Sequence, residues 1–159
     1  MKTVKPAGNE LDNALKKNLL IWKGGLVFLA VCFTVAFILH LLNVQIEVTI
    51  PFPSKYLTYG LLGVAALDIL ALFLVRKKVL KTDDKVTEEV PRIAAIRYTN
   101  ATLVTTAILS SIGIYGLVDF VVTRDVITLL MFLAIAASGM LLFRPNKDTL
   151  TNLAHQLRR

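Results

Sequence analysis

Four long apolar blocks, almost free of charge, constrain this chain more than any other feature. A helix that crosses a hydrocarbon core of ~30 Å needs roughly 20 residues at ~1.5 Å each. The first block covers 20–42 and has no formal charge after Lys23. The second, 56–75, holds one charge, Asp68. The third, 98–118, and the fourth, 126–143, hold none. Such segments are expected to be transmembrane helices rather than buried helices of a soluble core. Charged residues make up 18% of the chain, below the roughly 25% of an average soluble domain. A three-span arrangement with one re-entrant segment is the alternative. The first block outruns the apolar region of a signal peptide. No small-x-small cleavage pattern follows it before Asn43, so it reads as a retained span.

The expected fold class is therefore an all-α integral membrane protein, a single domain over 1–159. Its spans form a four-helix bundle of two helical hairpins. Around them lie an amphipathic N-terminal segment (1–19), an outer loop (43–55), an inner loop (76–97), an outer turn (119–125) and an amphipathic tail (144–159). Orientation follows from the bases. With Lys23 counted alongside the N-terminal segment it adjoins, sixteen of the 18 lysines and arginines fall there, in the inner loop and in the tail; Lys55 and Arg124 alone fall on the other side. By the positive-inside rule both termini are cytoplasmic. Each of these three basic segments nets three positive charges; the outer turn and Asp68 each take one away, which leaves the overall +7. Spread in this way the charge is no nucleic-acid footprint. It is expected to contact an anionic cytoplasmic leaflet.

The connections carry further expectations. Val44, Ile46, Val48 and Ile50 alternate with polar residues, but an isolated strand leaves its backbone unpaired, so an irregular interfacial loop is expected, turned by Pro51 and Pro53. Helix two is expected to run on through Lys81, and Pro91 suits the first turn of helix three. Asn9 is expected to cap a stretch in which Leu11, Leu15 and Leu19 recur every fourth residue. In the tail, Asn146 or Asp148 is expected to cap a helix with Leu150, Leu153 and Leu157 on one face. Both stretches read as helices lying on the anionic leaflet; frayed termini are the alternative.

Asp68 is the one formal charge inside a span. It lies eight residues before Arg76, roughly 12 Å inside the boundary at helical rise. An ionised carboxylate there is costly, so a protonated or hydrogen-bonded acid is expected. Counting depth from Arg97 on helix three proposes Thr105 and Thr106 as its partners. Asp68, Thr105 and Thr106 are thus the candidate ion or proton site. The equal alternative is a neutral acid that holds helices together through hydrogen bonds.

Helix three is the most polar span. Thr102, Thr106 and Ser110 recur every fourth residue, Gly113 continues the face, and Gly116 follows. Helix four answers with Ser138 and Gly139. Small residues at this spacing let helices approach closely, so a packing role is expected. His40 and His155 have no ligand-spaced companions, and Cys32 is single, so no metal site is expected. No phosphate loop, nucleophile elbow or paired acid–base set occurs, so neither enzymatic activity nor a cofactor is expected. Trp22 reads as an interface anchor.

The run Ala107-Ile108-Leu109-Ser110-Ser111-Ile112-Gly113-Ile114-Tyr115-Gly116-Leu117-Val118 resembles the second helix of rotary ATPase proteolipids, the c or K subunits. It also resembles small bacterial four-helix membrane proteins whose second hairpin has this pattern. The resemblance covers about a dozen residues of the third block. It implies a proteolipid-like second hairpin in a bacterial cytoplasmic membrane. It also puts Ser110 where the ion-binding carboxylate would stand, and a serine cannot serve as that proton carrier. Helix two, around Asp68, aligns faintly with the same run, which would make the hairpins a parallel repeat. The expected function is a non-enzymatic structural or accessory subunit of a membrane oligomer, built from copies of this chain or with another membrane protein. The alternative is a small ion or proton transporter or channel using Asp68.

Overall fold

The structure is a computed structural model and describes residues 7–43, 53–80 and 90–157. The alternating segment 44–50, Pro51, Lys81 and the acids of the inner loop lie outside the described residues. Among the described residues every regular element is a helix: α1 (Ala7–Leu41), α2 (Ser54–Leu80), α3 (Val90–Thr123), α4 (Val126–Leu142) and α5 (Lys147–Gln156). Three of them, α1 to α3, are long and apolar enough to cross a membrane. The count rises to four if α4 and α5, which meet at a 56° bend, are taken as one span.

α3 is the central helix, and α1, α2 and α4 each pack along it. Its sequence explains this place. Alanine, glycine and threonine at Ala94, Ala101, Thr102, Thr105, Gly113 and Gly116 are all buried, so neighbouring backbones come close. A methyl group added at Gly116 would lie 2.7 Å from Phe132 Cβ and 3.4 Å from the Leu129 carbonyl oxygen. One added at Gly139 would lie 2.5 Å from Leu109 Cδ2, and one at Gly113 would overlap Leu29. These positions fix the helix order. α1 runs parallel to α3, with Gly25 against Thr106 and Ala36 clustered with Phe120. α2 and α4 run antiparallel to it.

The core has three parts along the bundle. Leu29, Ala65, Leu72, Leu109, Ile112 and Phe132 lie in the middle. Ala36, Phe120 and Leu129 close the end near the α3–α4 turn. At the other end Ala14, Ala94 and Tyr98 receive Leu150, Leu153 and Leu157 of α5. This corrects the reading of the tail as a helix lying on a lipid surface. Its three leucines are 1–4% exposed, because α1 and α3 extend far enough past the apolar blocks to bury them. Asn146, of the two candidates, is the α5 cap; its side chain accepts from the Asp148 N–H at 3.1 Å. α1 begins at Ala7, two residues before Asn9.

α3 is also longer than its apolar block. It ends where Arg124 adopts φ 62°, its N–H bonding to the Phe120 carbonyl at 2.9 Å. This is a left-handed C-terminal stop. Asp125 then caps α4, accepting from the Ile127 N–H at 2.9 Å and the Thr128 hydroxyl at 2.6 Å. Chiefly the Thr128 hydroxyl holds the Asp125 carboxyl below its ordinary range. The single-residue stop means that Asp119, expected in the outer turn, belongs to the last turns of α3. Trp22, read as an interface anchor, donates its indole N–H to the Met140 carbonyl at 2.7 Å and so ties α1 to α4.

Candidate functional site

The side chains that carry chemistry converge on one helix pair, α2 and α3. Three polar contacts cross this seam at three levels. Nearest the α3–α4 turn, Thr58 donates to Asp119 Oδ1 at 2.7 Å. In the middle, the Tyr115 hydroxyl donates to Asp68 Oδ2 at 2.8 Å. Towards the α5 end, Arg76 Nη1 donates to the Thr105 hydroxyl at 3.1 Å. The antiparallel register sets all three levels: the paired residue numbers sum to nearly the same value.

Asp68 is half-buried on the α3-facing side of α2. Its partner is Tyr115, not the expected Thr105 or Thr106. Depth counting fails here for an identifiable reason. It treated Arg76 and Arg97 as equally deep, but Arg76 lies beside Thr105, about two helical turns further along α3 than Arg97. Thr105 is buried, donates to the Ala101 carbonyl at 2.6 Å and accepts from Arg76. Thr106 turns the other way: its Cγ2 faces Gly25 on α1. The expected trio therefore divides between two faces of α3.

Of the packing candidates, Thr102 is buried and donates to the Tyr98 carbonyl at 2.9 Å. Gly113, Gly116 and Gly139 make the close approaches described above. Ser110 is half-buried, and Ser138 is exposed on the rim of a groove between α2 and α4 that Leu72 and Leu109 also line. Tyr115 meets the Asp68 carboxylate, whereas Ser110 lies more than a turn away from that level.

Asp119 is the residue that sequence reasoning missed. It is fully buried, with Oδ1 held by Thr58 and Oδ2 3.3 Å from the Thr123 hydroxyl. The signal that could have found it is the Arg124–Asp125 pair, a stop followed by a cap, which leaves five more residues in α3 than hydropathy assigns. Arg76 is likewise more than a boundary charge: its guanidinium sits 4.8 Å from the centre of the Phe143 ring, bridging α2 towards the end of α4. Cation–π contact and a hydroxyl acceptor together suit a guanidinium held against apolar surface.

The seam offers two carboxylates, each satisfied by hydroxyl donors. Such an arrangement can lock two helices together, or hold and release a proton or cation. Among the described residues no group of three histidine, cysteine, aspartate or glutamate side chains comes together to bind a metal. No family model, curated protein or solved structure matches the chain.

Proposed function

We propose that the chain is a four-span integral protein of the bacterial cytoplasmic membrane with both termini inside, acting as a non-enzymatic structural or accessory subunit of a membrane oligomer. The N-in, C-in reading draws support from the meeting of the two ends of the chain. Lys147 pairs with Asp12 at 3.1 Å, and α5 packs against the first turns of α1 and α3. α4 lines two of the three parts of the core, from Leu129 beside Phe120 to Met140 beside Trp22, antiparallel to α3, which supports its reading as the fourth span.

One observation carries the subunit reading: the two faces of α2 are unlike. Asp68 and Arg76 turn to α3 and are satisfied there. The rest of the helix presents Leu67, Leu70 and Leu74 at 58–66% exposure, and Gly60 and Gly63 have no neighbouring atom within 4 Å of an added methyl group. The polar groups hold the helix in place, and the apolar face is left for lipid or for another subunit. Native mass spectrometry after extraction in a mild detergent tests this. An assembly of several 17.6 kDa chains, or of this chain with a second membrane protein, is expected. A clean monomer would sink the proposal.

Asp119 favours a second reading. With Asp68 it supplies two carboxylates along one helix pair, and acids within spans mark proton or cation pathways. In this reading Asp68 is the carrier. Ion flux in proteoliposomes that is lost in Asp68→Asn would favour transport, and flux that survives the substitution unchanged would exclude Asp68 as the carrier.

A further inference from the structure

α1 and α3 pack through Ala14 and Ala94 at the α5 end of the bundle, and their polar side chains flank a groove along that contact. This open cleft measures about 410 Å³. Its polar rim is Glu10, Asn13 and Lys17 from α1 with Arg92, Thr99 and Asn100 from α3. None of these residues belongs to the α2–α3 seam. We propose that this cleft binds the phosphodiester headgroup of an anionic phospholipid, of the phosphatidylglycerol type.

Three features point to that ligand. The first is the donor set. Lys17 and Arg92 are the rim's two cations, contributed by different helices, and Asn13, Thr99 and Asn100 add uncharged hydrogen-bond donors. A phosphodiester has two non-bridging oxygens that share one negative charge and accept from such a set, and basic pockets between membrane helices recognise headgroups in this way. The second is Glu10, the rim's one carboxylate. It disfavours a dianionic phosphomonoester and supplies an acceptor for a headgroup hydroxyl. The third is what lies above the cleft. Helical periodicity carries its two walls on to Leu20 and Gly24 of α1 and to Leu103 of α3. Leu20 is 71% and Leu103 47% exposed, and Gly24 has open space beside it. A polar cleft that continues as an apolar furrow matches a headgroup followed by acyl chains, whereas a free anion would use the cleft alone.

This inference rests on the proposed orientation, in which the cleft faces the cytoplasmic leaflet. The test uses the full chain in vesicles and in detergent. Alkaline carbonate extraction of the vesicles comes first. Release of the chain would overturn the membrane reading itself, while retention leaves the site alone under test. Lipid titrations by native mass spectrometry and thermal shift then compare phosphatidylglycerol, phosphatidylethanolamine and phosphatidylcholine, with glycerophosphoglycerol, the deacylated phosphodiester, as the soluble arm. Preferential retention of phosphatidylglycerol is expected, weakened about fivefold by Lys17→Gln or Arg92→Gln, a loss typical of one surface base near anionic lipid. Both side chains are exposed, so the variants are expected to fold, and an unchanged thermal midpoint in phosphatidylcholine checks this. Lys77→Gln with Lys78→Gln, on exposed positions of α2, is expected to leave retention unchanged. Equal retention of all three lipids, equal loss in the α2 control, or saturation by glycerophosphoglycerol with no lipid preference would each overturn the proposal.

Discussion

The Tyr115 hydroxyl of α3 donates a 2.8 Å hydrogen bond to Asp68 of α2, midway along a helix that packs mainly on α3. In a hydrocarbon setting neither group finds water as a substitute, so the bond links the two helices energetically. Measured couplings of interhelical side chains in membranes average about 0.6 kcal/mol and reach about 1.7 kcal/mol. A double-mutant cycle of Tyr115→Phe and Asp68→Ala is expected to return a coupling of about 1 kcal/mol in unfolding from mixed micelles. Purely additive effects of the two substitutions would contradict the bond's structural role.

The glycines separate by what faces them. Gly116 meets Phe132 Cβ and the Leu129 carbonyl, neither of which can swing aside, whereas Gly139 meets the far end of the Leu109 side chain. Gly116→Ala is therefore expected to destabilise the bundle by about 1–3 kcal/mol, the usual cost of overpacking. Gly139→Ala is expected to cost less. Gly60→Ala and Gly63→Ala, with open space around them, are expected to be neutral or stabilising, since alanine is the better helix former. Thermal midpoints of the four variants in one detergent check the order.

Tyr98 clasps the start of α5. Its hydroxyl accepts from the Asn146 N–H at 2.9 Å and donates to the Asn146 carbonyl at 3.3 Å, while its ring lies among the α5 leucines. Tyr98→Phe keeps the ring and removes the clasp. Two hydrogen bonds at about 1 kcal/mol each are lost, so amide exchange in α5 is expected to accelerate at least tenfold while α3 is unaffected. Unchanged exchange in α5 would show that the leucines alone hold the tail.

Asn18 is fully buried on α1, and both its polar side-chain atoms lack a partner among the described residues. An unpaired buried amide costs about 1–3 kcal/mol. Asn18→Leu, of the same branching and heavy-atom count, is expected to raise the thermal midpoint. A fall would mean that Asn18 holds a polar partner in the folded protein.

The helices and their apolar content were legible in the sequence, because a long charge-free block has few alternatives. The partners of Asp68 were not. Depth counting assumed that each helix enters the apolar layer at its first charge, yet Arg76 lies beside Thr105 and bends this rule through its long side chain. Asp119 was hidden for a related reason: hydropathy ends a span at a charge, while the backbone ends α3 at Arg124, where the left-handed turn is made. The leucines of α5 showed an amphipathic face but not what it faces. A lipid surface and the side of α3 require the same pattern, and only the extra length of α1 and α3 decides between them.

The topology is tested most directly by cysteine accessibility. Cys32 is the chain's one cysteine and is buried, so a Cys32→Ser background accepts single reporters. Lys55 and His155 are both exposed and lie at opposite ends of the bundle. In intact cells, a membrane-impermeant maleimide is expected to label Lys55→Cys and to spare His155→Cys until the cells are lysed. Labelling of His155→Cys from outside would place the tail on the far face and contradict the four-span account.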